Sequence, residues 1–333
     1  MKQHAFEQTY ASFWDEYDAL LEDLKLSSSK RQSEKKQRYE FPSLFRKVCH
    51  HYAIAQQRHY SPHLINALHS RVLKGHQLLY ERKGSLWWRL LEFVWITFPN
   101  QLRRHWRHFW IAVSLFYVPA IAVGLACFFD SEMIYQIMPD RSVAEMEYMY
   151  DPENRQVGRS EDRQADSDFM MFGYYIYNNI SIGFRTYALG ILAGIGTVFI
   201  LLYNGLVIGG VAGHLTQLGF TQTFWPFVSG HGSFELTAIV ICGAAGLRLA
   251  QPLISPGRYR RLDALKIAGK DSVQLVMGAA LMLLIAAFIE AFWSSSNLLP
   301  SIKYAVASVL WLLVILYLWR AGRGQGALSN HAD

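Results

Sequence analysis

The chain has 333 residues and a formal net charge of +6, with 52% hydrophobic and only 17% charged residues, against roughly 25% charged in soluble domains. The apolar residues are segregated into long uncharged runs, and basic residues gather beside them at Arg103, Arg104, Arg107 and at Arg258, Arg260, Arg261. That distribution belongs to a membrane protein and excludes nucleic acid as the partner that the positive charge would otherwise suggest.

From the N-terminus, Met1 to Leu20 carries Lys, Glu, Asp and aromatics in place of the basic start and apolar run of a secretory signal, so this end is expected in the cytoplasm. Residues 1–85 have helical periodicity, as at Leu64, Leu68, Val72, Leu78 and Leu79, and predict a cytoplasmic domain of two or three antiparallel helices. Ser27 to Lys36 reads as a charged, serine-rich linker, and Ser61-Pro62 as a helix start with proline in the first turn. Lys30 to Arg38, with Trp14, Tyr17 and Tyr39 expected to be exposed, offer a partner-binding surface; the charge run also reads as a simple solvated linker. Residues 86–108, with Trp87, Trp88 and Trp95, suit the headgroup zone and predict an interfacial helix.

Residues 109–129 contain no charge and form the first span, near the roughly 20 residues that cross a bilayer. Residues 130–168 carry eleven acidic residues against four arginines, and are expected outside the cytoplasm as an irregular or partly disordered loop. Returning from that loop to the basic segment Gln251 to Lys270 takes an odd number of crossings. Residues 169–320 therefore hold five further spans, at 169–193, 195–215, 227–250, 273–293 and 302–319, with breaks at Gly194 to Thr197 and at Gly219 to Pro226. Residues 321–333 form a cytoplasmic tail. The expected fold is an all-α polytopic bundle of six spans with both termini cytoplasmic. Gly190, Gly194, Gly205, Gly209 and Gly213, spaced by four within two segments, let helix backbones approach closely; packing inside one bundle is favoured over a dimer seam. Of the three cysteines, Cys49, Cys127 and Cys242, two lie in apolar segments and read as small apolar fillers without a disulfide framework.

Ionisable groups inside such segments need a reason, since each costs at least about 2.5 kcal/mol in hydrocarbon unless paired or wetted. His231 and Glu235 stand at i, i+4 and share one helix face. In the predicted topology His214, Glu290, Asn178 and Asn179 fall in the same outer leaflet, so the six residues predict a polar pocket opening toward the acidic loop. Arg185 and Asn204 lie lower, at matching depth, and are expected to pair as a second polar layer. Arg248 suits the C-terminal dipole of its helix and the inner headgroups. Three readings of the pocket stand: a packing device without ligand, a metal site of His231, His214, Glu235 and Glu290, or a proton or substrate path. The zincin pattern would need two histidines flanking a glutamate, and neither a metal nor another cofactor is expected; if one bound, His231 and Glu235 would ligate it. There is no phosphate loop, Gly-x-Ser-x-Gly elbow or Cys-x-x-Cys pair, and no internal repeat of the kind many transporters carry.

Several of these segments also resemble the stage II sporulation protein M family of bacterial membrane proteins. The likeness is carried by Tyr177-Asn178-Asn179, Gly190 to Thr197, Asn204-Gly205 with Gly209, Gly230-His231-Gly232 with Glu235-Leu236 and the trailing Ala245-Gly246-Leu247-Arg248, and Ala286 to Phe292. It covers roughly Arg46 to the last span, in the manner of the longer members from bacteria that do not sporulate. The resemblance implies a non-enzymatic membrane partner for a cell-envelope complex and, for longer members, company with a MoxR-type AAA ATPase and von Willebrand A-domain proteins. The expected function is an inner-membrane scaffold or assembly factor contacting lipid and other proteins, its oligomeric state open; the alternatives are a transporter or channel with a protonatable pocket, and a metal-dependent intramembrane enzyme.

Overall fold

The computed structural model describes residues 2–25, 35–80, 86–154 and 165–323, and among them every regular element is a helix. The chain divides into two compact units, Met1–Trp88 and Arg89–Asp333.

The first unit contains α1 (Gln3–Lys25), α2 (Lys35–Gln57) and α3 (Pro62–Tyr80). Along α1, Phe6, Trp14, Tyr17 and Leu21 recur at helical spacing and form one apolar stripe. The stripe is buried against Phe41, Val48 and Ala55 of α2 and Leu64 and Leu68 of α3. Trp14 and Tyr17 are therefore core residues, 5% and 1% exposed, and not the binding surface expected for them: the periodicity that makes α1 a helix also turns both rings inward. The linker residues 26–34 and the Tyr39 side chain lie outside the described residues. Pro62 opens α3, where the Ser61 hydroxyl accepts the Leu64 N–H at 3.4 Å and Gln3 Oε1 accepts the Ser61 N–H at 2.9 Å.

The membrane unit is entered through α4 (Leu86–Glu92), a π-helical stretch Phe93–Thr97 and α5 (Phe98–Arg104). Trp87, Trp88 and Trp95 are exposed, whereas Phe98 and Leu102 are buried in the bundle core with Ile241, Leu275 and Val314. Among the described residues, five helices are long and apolar enough to cross a membrane: α6 (Trp106–Phe129), α9 (Ile195–Gln217), α10 (Phe224–Ile254), α11 (Arg261–Phe288, prolonged by a π-helical turn Ile289–Ser294) and α12 (Pro300–Arg320). Their outer faces carry exposed Val118, Ile121 and Leu125 on α6, and Val309, Leu312 and Leu316 on α12, as a lipid-facing surface requires. α10 is the central element and is buried along most of its length.

Between α6 and α9 lie α7 (Asp140–Tyr150) and α8 (Ala165–Ala188). α8 is less apolar than the other five, yet it lies along the same bundle. Phe172 packs edge-on against Phe288 and tilted against Phe292 of the α11 extension, Gly183 faces Cys242 and Leu283, and Gly190, just beyond its end, abuts the Gly246 backbone of α10. Its 24 residues reach about 36 Å at 1.5 Å per residue, long enough to match the roughly 30 Å of a bilayer core although its composition is less apolar than that of the five. The chain then reverses at Gly194, whose φ of +85° only glycine adopts without strain, and at Gly219 with the same φ.

The acidic segment departs from the irregular loop expected of it. The Asp130 carboxylate accepts the Glu132 N–H and starts a 3₁₀ turn, Ser131–Gln136, and α7 follows. Val143, Met146 and Tyr150 share one face of α7: Val143 clusters with Cys127 and Ile134, Tyr150 with Leu215, Phe224 and Phe227. Local apolar spacing inside a segment of high net charge thus folds it onto the bundle end. Residues 155–164 lie outside the described residues.

Candidate functional site

His231 and Glu235 sit one turn apart on α10, with His231 Nε2 3.7 Å from Glu235 Oε2. Glu290 reaches them from the π-helical turn that prolongs α11. One ligand atom from each of the three residues lies within 4.8 Å of the others. A π-helical turn accommodates an extra residue, and such turns recur at functional sites because they re-aim a side chain without ending the helix. The same turn supplies Ser294, whose hydroxyl lies 2.9 Å from His231 Nδ1. The Ser294 carbonyl in turn accepts the Lys303 ammonium of α12 at 2.6 Å. On the far side, Asn179 of α8 donates to Glu290 Oε2 at 3.5 Å, and Asn178 donates to Asn179 Oδ1 at 3.1 Å. His231 and Asn179 are buried, 5% and 2% exposed.

These carboxylates form the polar floor of a cavity of about 750 Å³, a size that accommodates an organic molecule. Its walls are apolar and come from α6, α9 and α10, with Met146 and Tyr150 of α7 at one side. Burial first, then the Glu290 carboxylate, pushes the Tyr150 hydroxyl above its ordinary range, so it remains a neutral donor beside the acidic floor. Thr223 donates its hydroxyl to the Tyr150 carbonyl, pinning the C-terminus of α7 to the start of α10.

Other residues named from the sequence go elsewhere. His214 turns to α7, where its Nε2 lies 2.7 Å from Glu147 Oε1; it is not in the His231 cluster and leaves the metal set. Asn178 is exposed and touches the cluster only through Asn179. Arg185 and Asn204 do not form the expected second layer: Arg185 is exposed on α8, and Asn204 donates to the Ile200 carbonyl of its own helix at 2.8 Å. Equal depth does not fix the rotation of a helix about its axis, and here α8 and α9 turn these side chains apart. Gly205, Gly209 and Gly213 meet the α6 backbone at Phe116, Ala120 and Gly124 within this same chain, so that stripe is filled by α6. Gly190 and Gly194 both lie against α10, at the Gly246 backbone and at Ala250, and Gly194 is in addition the residue at which the chain reverses.

Two features were not anticipated. Ser294 lies at the end of a span in the sequence, and only the π-helical turn brings its hydroxyl under His231. At the opposite end of the bundle, Arg248 Nη2 pairs with Asp271 Oδ2 at 2.9 Å, and His105 Nε2 stands 3.3 Å from the same oxygen. Arg248 is thus held by a carboxylate from α11 in place of the dipole and headgroup contacts expected of it. The one signal was an aspartate directly after the basic segment Gln251 to Lys270, inside α11.

Residues 109–295 match the family described as Stage II sporulation protein M. The chain belongs to that family. The matched stretch runs from α6 to the end of the π-helical turn and holds all three residues of the His231 cluster, so the cluster lies within the family's own domain. Residues 4–81 match a second family, described as a domain of unknown function (DUF8413), which covers the three helices of the first unit. Neither a curated protein nor a solved structure matches the chain.

Proposed function

We propose that this membrane protein is a non-enzymatic scaffold or assembly factor for a membrane or cell-envelope complex, seated in the bacterial inner membrane with both termini in the cytoplasm. The observation that carries the reading is the division into two units with separate cores. Met1–Trp88 closes an apolar core of its own, while Arg89–Asp333 presents lipid-facing helices. A module with an apolar core of its own, attached to a membrane anchor, is suited to holding a partner at the membrane. The separate family match of residues 4–81 supports that independence. Orientation follows from charge. The α5–α6 junction, the loop between α10 and α11 and the end of α12 all lie at one end of the bundle: Arg103 donates to the Leu318 and Ala321 carbonyls, and His105 meets Asp271. Arg103, Arg104, Arg107, Arg258, Arg260, Arg261, Arg320 and Arg323 therefore gather there, which supports the reading of that end as the cytoplasmic one. The partner class is a cytoplasmic assembly machine of the MoxR-type AAA ATPase kind.

The test is affinity purification from native membranes of the full chain and of a chain lacking residues 1–85. A defined protein partner should accompany the full chain and be lost from the truncated one, with the truncated chain still in the membrane fraction. Retention of the same partner by the truncated chain, or recovery of the full chain alone, overturns the reading.

A further inference from the structure

The geometry points to a divalent cation site of the zinc class, formed by His231 Nε2 and one carboxylate oxygen each of Glu235 and Glu290, with its remaining coordination position facing the 750 Å³ cavity. Three separate features converge on it.

The first is donor chemistry and distance. One imidazole nitrogen and two carboxylate oxygens form a set that zinc accepts, and bonds of about 2.0–2.2 Å in a tetrahedral arrangement place neighbouring ligand atoms roughly 3.4 Å apart. His231 Nε2 and Glu235 Oε2 are already 3.7 Å apart. Glu290 closes the triangle from within 4.8 Å by rotation of its carboxyl group.

The second is the outer shell. A ligating histidine holds its other ring nitrogen on an oxygen that fixes ring and tautomer. His231 Nδ1 lies 2.9 Å from the Ser294 hydroxyl, and Lys303 anchors the Ser294 carbonyl from a third helix. With Nδ1–H donating to Ser294, the Nε2 lone pair points at the carboxylates. Asn179 holds Glu290 on its other side. Helix packing alone needs none of this orientation of the imidazole.

The third is charge. Two carboxylates brought this close at the floor of a largely apolar cavity are held there either by a shared proton or by a compensating cation. His231, the one cationisable group in the triangle, has its Nε2 on the carboxylate side; a dication there compensates both glutamates at once. The apolar walls leave the open position accessible to water or to the polar group of an amphiphile.

The experiment uses the full chain in lipid nanodiscs, free of any histidine tag, stripped with chelator and then titrated with Zn²⁺ against a competing fluorescent chelator, with Co²⁺ as a spectroscopic probe. One equivalent of Zn²⁺ should bind per chain, and Co²⁺ should give the visible absorption of a tetrahedral site. Glu235→Gln and Glu290→Gln should each remove that equivalent. Ser294→Ala, which leaves every ligand in place, should weaken binding about 10–100-fold, and His214→Gln should leave it unchanged. Because a ligand variant that unfolds would mimic loss of metal, each variant's melting temperature is read without metal, and the wild type should gain melting temperature with Zn²⁺ where the glutamine variants do not. Absence of stoichiometric binding, or an equivalent of Zn²⁺ that survives Glu235→Gln with Glu290→Gln together, overturns the site and identifies the cluster as a proton-sharing packing contact. Neither result bears on the scaffold reading, which is tested by partner recovery.

Discussion

His51 accepts the Trp14 indole N–H on Nδ1 at 3.1 Å and is ringed by Phe6, Tyr10 and Phe13. Burial, followed by the positive fields of His50 and Lys47, pushes its pKa below the ordinary 6.5. The folded unit therefore holds the neutral ring, while the unfolded chain takes up a proton at the ordinary value. The resulting stability is complete above about pH 6.5 and is lost as the pH falls toward the depressed value. Amide exchange in α1 and α2 of the full chain should accelerate between about pH 7 and about pH 5 beyond its intrinsic pH dependence. In His51→Gln, which keeps an acceptor for Trp14 without the titration, that extra acceleration should vanish; its persistence would place the titrating group elsewhere. At this scale the sequence spoke unevenly. His231 and Glu235 are legible because i, i+4 spacing on a helix admits one geometry. Asp271 and Ser294 are not, because their partners come from other helices and their meaning depends on which way those helices turn.

The seam between α6 and α9 is the clearest case of an element placed by what it lacks. A Cβ at Gly205, Gly209 or Gly213 would run into the main chain of α6, and one at Gly124 would stand 3.0 Å from the Gly209 carbonyl. Gly209→Val should accordingly force the two helices apart and cost about 1–3 kcal/mol by overpacking, seen as a lower melting temperature in detergent. Gly173→Ala on α8 is the matched control. Nothing lies within 4 Å of its Cβ position, so stability should hold or rise by up to about 1 kcal/mol from helix propensity. Equal melting temperatures for the two variants would mean that α6 and α9 do not pack this way. The glycine spacing was visible in the sequence, and so were both reversals, since Gly194 and Gly219 require φ values that other residues avoid. The helix in the acidic segment was hidden, because net charge outweighs a short apolar stripe when a segment is read by composition; it takes the neighbouring Phe224 and Phe227 to make Tyr150 worth burying.

Across the whole molecule, the arrangement predicts opposite reporter behaviour at its two ends. Fusions of alkaline phosphatase within residues 155–164 should be active and fusions after Arg323 inactive, with green fluorescent protein giving the reverse pattern; activity at both positions would mean that α8 does not cross. α8 is the element on which this depends, since it lies along the bundle without the apolarity of the other five helices. The sequence by itself determined that the protein is helical and lies in a membrane, where the polar residues sit along each span, and where the chain turns back. Those properties follow from residue count against bilayer thickness, from the cost of exposing backbone to lipid and from glycine's access to positive φ, all of which are local. Only the tertiary structure decided which polar groups meet. Depth is fixed by position along the chain, but the angle of a helix about its axis is set by the neighbours it packs against, and one π-helical turn at Ile289–Ser294 is enough to bring Glu290 and Ser294 to His231 while His214, in the same predicted leaflet, faces Glu147.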